Sequence, residues 1–304
     1  MTPGTGSARH LPLVPAVAFV LVWSSGYISG PAAVHAAAPF TVLGWRFAIA
    51  ALLGAGLALA LRRPTRMDRA TLGRVAAVGF VMNAVQFGLV YVAFDLGLGA
   101  TLASLLHALS PVLTALLAAA LLRERVSPVQ VAGFAVGVVG VLLVLGGDLG
   151  HAGGPVAVLV GCLSMLTLSL GTLGQRWIGA QPDLLWSAAV QFAVSAPPLL
   201  VLGWTTEGAW PVTDARQAVV AVLLLAVLNS IVGLVLLAVL VLRGGSGAAA
   251  SLFFLSPPVT AVMAWWVLDE TLTPLQLLGL VVAVAGVGAA TRTRGAPVQE
   301  VGTQ

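Results

Sequence analysis

Ten apolar stretches, each long enough to cross a lipid bilayer, follow one another along this chain with only short polar connections. They run roughly over residues 11–30, 40–61, 75–96, 100–122, 128–145, 156–173, 184–202, 218–242, 247–268 and 274–290. About 20 apolar residues rising 1.5 Å each cover the ~30 Å hydrocarbon core. In that solvent every backbone amide needs a partner inside its own segment, so the stretches are helices. A barrel would show short alternating segments, and none occur here. Ten helices use nearly all of the 304 residues and leave no room for a separate soluble domain. Composition agrees, with 59% hydrophobic and 8% charged residues, against about a quarter charged in soluble domains.

Charge placement predicts an orientation. Arginines 62, 63, 66, 69 and 74 crowd the connection between segments two and three. Arg123 and Arg125, Arg176 and Arg243 fall in later connections on the same side, as do Arg9 before the first segment and Arg292 and Arg294 after the last. The opposite side carries Arg216 with Asp95, Asp148, Glu207, Asp214, Asp269 and Glu270. The positive-inside bias puts both tails, 1–10 and 292–304, in the cytoplasm and requires an even number of crossings. Residues 11–30 read as the first membrane helix, not a removed signal peptide. The basic residues are all arginine and sit in loops, so no nucleic-acid partner is expected. One cysteine, Cys162, forms no internal disulfide or metal cluster, and no cofactor is expected.

The chain also repeats itself. At an offset of 146 residues, Ser110-Pro111 matches Ser256-Pro257, Thr114-Ala115 matches Thr260-Ala261, and Glu124 matches Glu270. Pro128, Gln130, Gly133 and Gly140 match Pro274, Gln276, Gly279 and Gly286, and Asn83 matches Asn229. The repeats cover 11–146 and 155–291. A unit of five helices is odd, so the second copy enters the membrane from the opposite side. Inverted repeats of this kind underlie many transporters. The fold class is therefore an all-α membrane protein of ten transmembrane helices in two inverted five-helix repeats.

Three stretches carry a resemblance: VWSSGYISG at 22–30, GWRFAIAALL at 44–53, and the block from Ala108 to Leu145 with its second copy. They resemble the EamA-domain transporters of the drug/metabolite transporter superfamily over nearly the whole chain. The resemblance implies a bacterial inner-membrane protein that exports small metabolites such as amino acids. Related branches move nucleotide sugars and phosphorylated sugars.

Polar residues inside the spans are the candidate substrate-binding set. A charge at mid-membrane costs roughly 2.5–3.5 kcal/mol on insertion scales, so Arg46 is either a cavity cation for a substrate carboxylate or a snorkelling side chain near a helix end. Gln191 stands at the similar point of the second half. His107 precedes Pro111 by one turn, and its repeat partner is Phe253; it is a cavity or proton-linked group, or a neutral interhelical bonder. Trp23, Ser24 and Tyr27 give helix one a polar, aromatic stripe that lines a cavity or lies in an interfacial belt. Asn83, with Gln86 one turn on, and Asn229 either flank a central site or bond helices together. Pro111 and Pro257 loosen their helices, and the matched glycines are packing faces. Glu124 and Glu270 read as caps or loop salt bridges.

No Asp or Glu lies deep in a span, which argues against antiport of cationic drugs. The expected partners are a small-molecule substrate and membrane lipid; the oligomeric state is open. The expectation is a non-enzymatic exporter working by alternating access through a cavity between helices one, three, four, six, eight and nine. The rival readings are an exchanger of phosphorylated or nucleotide-linked metabolites, an intramembrane enzyme, which would need an acid pair or a serine–histidine pair such as His107 and Ser110, and a scaffold that transports nothing.

Overall fold

A computed structural model describes residues 12–124, 126–146, 153–179, 182–208, 212–245, 249 and 251–292. The tails up to residue 11 and beyond Arg292, with Arg125 and Asp148, lie outside the described residues. The first five helices are α1 (Leu13–Ala36), α2 (Pro39–Ala60), α3 (Arg69–Asp95), α4 (Ala100–Leu122) and α5 (Pro128–Leu145). The second five are α6 (Gly154–Ile178), α7 (Leu184–Thr206), α8 (Ala215–Gly244), α9 (Leu252–Val267) and α10 (Pro274–Arg292). Among the described residues, nine of these meet the length and hydropathy of a membrane span, and α9 is shorter. Pro31 does not stop α1, which continues to Ala36 past the expected end at Gly30.

Sequence punctuation explains the helix ends. Ser127 accepts from the Gln130 amide while the Gln130 side chain accepts from the Ser127 amide, a capping box that starts α5 with Pro128 at its first turn. Thr273 and Gln276 do the same for α10. Asp68, Asp183 and Asp214 cap α3, α7 and α8. Such caps satisfy amides that the first helical turn leaves free.

The halves interlock more than they sit side by side. Helix α2 packs on α7 and α5 on α10, while α1 meets α8 and α9, as α6 meets α3 and α4. The α5–α10 seam runs on glycine: a β-carbon at Gly140 would fall 2.6 Å from the Gly279 carbonyl, and one at Gly133 would fall 2.6 Å from that of Gly286. Both pairs exchange matched positions, so a two-fold pseudo-axis crosses the seam and the helices run antiparallel. Phe47 and Phe192, equivalent residues of α2 and α7, stack at 5.6 Å with planes 10° apart. Ser24 of α1 bonds the Ser256 hydroxyl of α9 at 3.1 Å, and Ser169 of α6 bonds the Ser110 hydroxyl of α4 at 3.1 Å. These contacts set the repeat offset at 145 in the first two helices of each half and 146 after them.

The prolines act where the repeat predicts. Leu109 interrupts α4 just before Ser110-Pro111, and α9 opens with a 3₁₀ turn, Leu252–Leu255, before Ser256-Pro257. Each half also holds a wide π-helical turn, Phe80–Val85 in α3 and Leu225–Val232 in α8. Asn83 lies in the first and Asn229 in the second.

Candidate functional site

Helix α3 carries two polar clusters on neighbouring faces. Phe87 and Tyr91, four residues apart, face Arg46 of α2. Gln86 turns toward His107 of α4.

Arg46 is buried, at 5% exposure, and does not snorkel. Its Nε donates to the Ser230 hydroxyl at 3.3 Å and one terminal nitrogen, Nη1, to the Tyr91 hydroxyl at 3.1 Å. The guanidinium lies over the rings of Phe87 and Phe47, at 4.5 and 5.2 Å from their centroids. Such faces attract a cation. Ser230 is held by the π-helical turn, where its hydroxyl donates to the Leu225 carbonyl at 3.2 Å. Among the described residues, Arg46 is the only buried charged side chain, and it has no carboxylate partner. The other terminal nitrogen, Nη2, bonds no described residue. A planar fork held at two corners and open at the third is built to grip a carboxylate.

His107 is bonded at both ring nitrogens. Tyr27 of α1 lies 3.0 Å from Nδ1, and the Ser164 hydroxyl of α6 lies 3.0 Å from Nε2. Ser164 donates to the Gln86 carbonyl at 3.1 Å and accepts from the Gln86 side-chain amide at 3.1 Å. The Gln86 amide nitrogen also lies 3.4 Å from Nε2, so three polar side chains converge on the imidazole. This neutral cluster ties three helices of the first half to α6 of the second. Ser164 and Tyr91 were absent from the sequence reading; their only signal was a polar group within an apolar run.

The remaining candidates separate. Ser24 is spent on Ser256. Trp23 packs edge-on against Phe253, the repeat partner of His107, at 4.8 Å, and against Phe19 at 5.7 Å. Asn229 donates to the Val22 carbonyl at 2.5 Å and to Ser25 at 3.3 Å, both on α1. Asn83 is 8% exposed and makes no hydrogen bond to a described residue. Gln191 is not beside Arg46: it donates to Ser187 at 3.2 Å and accepts from Gln175 at 3.4 Å, packed against Gly79. Inversion is the reason, because equivalent positions on α2 and α7 lie on opposite sides of the Phe47–Phe192 axis. Ser110 bonds Ser169, away from His107, so no serine–histidine pair forms there.

At the helix ends, Glu124 pairs with Arg176 at 2.6 Å on the arginine-bearing face. Glu270, on the other face, accepts from the Thr101 amide at 3.4 Å, capping α4 of the opposite half. Glu207 there accepts from the Phe40 and Thr41 amides at 2.7 and 2.9 Å, capping α2. A short antiparallel bridge, Ala37 to Val212, joins α1 to the start of α8.

Comparison with known proteins fits this architecture. The family model of the EamA-like transporter family matches residues 11–146 and 155–292, one match per half. A probable terminal-alkyne amino-acid exporter of Streptantibioticus cattleyicolor is 32% identical over 75% of this chain and 75% of its own. A probable amino-acid metabolite efflux pump of Escherichia coli is 27% identical over 90% of this chain and 92% of its own. An uncharacterized transporter of Bacillus subtilis, YvbV, is 26% identical over 88% and 87%. One crystallised protein, 20% identical, shares the fold with a TM-score of 0.65 over 96% of this chain and all of its own.

Proposed function

Since the chain belongs to the EamA-like transporter family, we propose that it exports a small carboxylate-bearing metabolite, an amino acid or a close relative, across the bacterial inner membrane. The observation that carries this reading is Arg46: a buried cation between two aromatic rings, with an open corner and no carboxylate partner among the described residues. Burying an uncompensated charge is costly, and a substrate carboxylate would offset that cost when it binds. The names of the relatives support an amino-acid class and the outward direction. A phosphorylated substrate would call for more than one buried cation, and the described residues offer only this one.

The inverted halves support transport by alternating access, and the arginine bias supports a cytoplasmic position for the arginine-bearing face. The test is metabolite profiling of the medium of cells making the wild-type protein or Arg46→Gln. Amino acids or related acids should accumulate outside with the wild type and not with the variant. Equal profiles for wild type and empty cells would refute the assignment.

A further inference from the structure

The two halves differ at their π-helical turns. In the second half, Asn229 of α8 grips α1 by the Val22 carbonyl and Ser25, with its amide against Gly26, where an added β-carbon would lie 3.0 Å from Nδ2. The repeat maps Val22 onto Thr167 and Gly26 onto Gly171, both in α6, and Asn229 onto Asn83 in α3. If the halves were alike, Asn83 would lie against Gly171 and donate to the Thr167 carbonyl. Instead Met82, the preceding residue, occupies the space above Gly171, and its sulfur accepts from Gln175 at 3.2 Å. Asn83 is left nine-tenths buried without a hydrogen bond to a described residue. Its amide is open rather than stranded, since only the Thr101 and Thr260 hydroxyls are fully buried without a partner among the described residues, and the bond that Asn229 makes has no counterpart at Asn83 in this arrangement.

In an inverted-repeat carrier each half takes up the other's arrangement when access switches sides. A π-helical turn holds one extra residue, and passing that residue along the helix changes which side chain faces a neighbour by one position. We propose that Asn83 and Asn229 are engaged alternately during the cycle. The structure holds the state in which Asn229 is latched to α1. In the opposite state Asn83 replaces Met82 against Gly171 and donates to the Thr167 carbonyl of α6, while Asn229 releases Val22. The two asparagines are positioning residues: they set which helix pair is clamped and need not touch the cargo. One amide–carbonyl bond is exchanged for its counterpart, and the longer contact to Ser25, whose repeat partner is Leu170, is all that the Asn229-latched state holds in addition. This inference rests on the alternating-access reading above.

The test uses cysteine pairs in a Cys162→Ala background. Ala37→Cys with Val212→Cys reports the observed state, since bridged antiparallel residues lie within disulfide reach. The equivalent pair on the arginine-bearing face, Arg66→Cys with Pro182→Cys, reports the other. Asn229→Ala should lower the first cross-linking rate relative to the second by about threefold, the worth of one average intramembrane hydrogen bond. Asn83→Ala should raise it by a similar factor, and Asn83→Leu should repeat that shift. Opposite signs from two loss-of-bond variants cannot come from general loosening of the fold. If wild type forms both disulfides but the variants leave the ratio unchanged or move it the same way, the alternation is wrong and two-state transport stands. If wild type never forms the second disulfide, with or without a mixture of amino acids, alternating access itself fails and takes this inference with it.

Discussion

Arg46 shows how a single side chain concentrates the chemistry of a span. Its hold is bidentate, through Ser230 and Tyr91, so charge alone does not reproduce it. Arg46→Lys should keep partial export and Arg46→Gln should lower it by at least about tenfold, the loss expected for one charge-assisted hydrogen bond; initial rates of export from preloaded cells measure both. His107 sets a different expectation. Replacing it with phenylalanine, the residue at the equivalent position, strands the Tyr27 hydroxyl and should cost about 1–3 kcal/mol. In the Tyr27→Phe background the same change should cost clearly less, because the stranded group is already gone; thermal unfolding in detergent gives both figures. The polarity of Arg46, His107, Gln86 and Asn83 was legible in the sequence, since each interrupts an apolar run. Their grouping was not. Ser164 and Ser230 complete the clusters from helices of the other half of the chain, and ordinary serines carry no mark of that use.

The helices were the most legible level, though α1 and α6 run on past their expected ends at residues 30 and 173. Apolar length gave the spans, and the paired Ser/Thr-Pro-x-Gln signatures became two capping boxes. The π-helical turns were invisible, because an extra residue in a helix leaves hydrophobicity unchanged. The glycine seam makes a sharp test of packing. Gly140→Ala should destabilise the protein by about 1–3 kcal/mol through overpacking on Gly279 and Ala283. Gly56→Ala, with nothing within 4 Å of the new carbon, should be neutral or slightly stabilising. Melting temperatures side by side would decide. The α4 cap adds a pH signature. Burial pushes the Glu270 carboxyl above the ordinary glutamate range, and the Thr101 amide only partly opposes it. The folded chain therefore holds this proton more tightly than the unfolded one. Its contribution to stability is full below the ordinary value of about 4.3 and is lost as pH rises through the raised folded value. Glu270→Gln should remove that loss, so the melting temperature of the variant relative to wild type should climb as pH rises from 4 to 8.

At the scale of the whole molecule, the odd number of helices per repeat required inversion, and the contacts agree: Phe47 on Phe192, Ser24 with Ser256 beside Ser169 with Ser110, and glycine on glycine across α5 and α10. What one sequence could not supply was depth. It made Gln191 the counterpart of Arg46 in the second half, and inversion sends these equivalent positions to opposite sides of the axis. Orientation in the membrane remains open to direct measurement. In a Cys162→Ala background, a cysteine at Thr206 should react with an impermeant maleimide in intact cells, and one at Arg66 only after the inner membrane is opened.

The glycine seam also bears on how the chain is made. The face of α5 that meets α10 is complete once residue 145 has left the ribosome, but its partner begins at Pro274. At 5–20 residues per second, synthesis of the second half lasts roughly 7 to 30 s. For that interval the first five helices sit in lipid with their tightest mating surface bare. Biogenesis of this protein is therefore a waiting problem: a half-built bundle must be sheltered beside the insertion machinery or must close provisionally on itself. If the polypeptide were severed between the repeats, the two pieces, inserted independently, should find each other along the same seam.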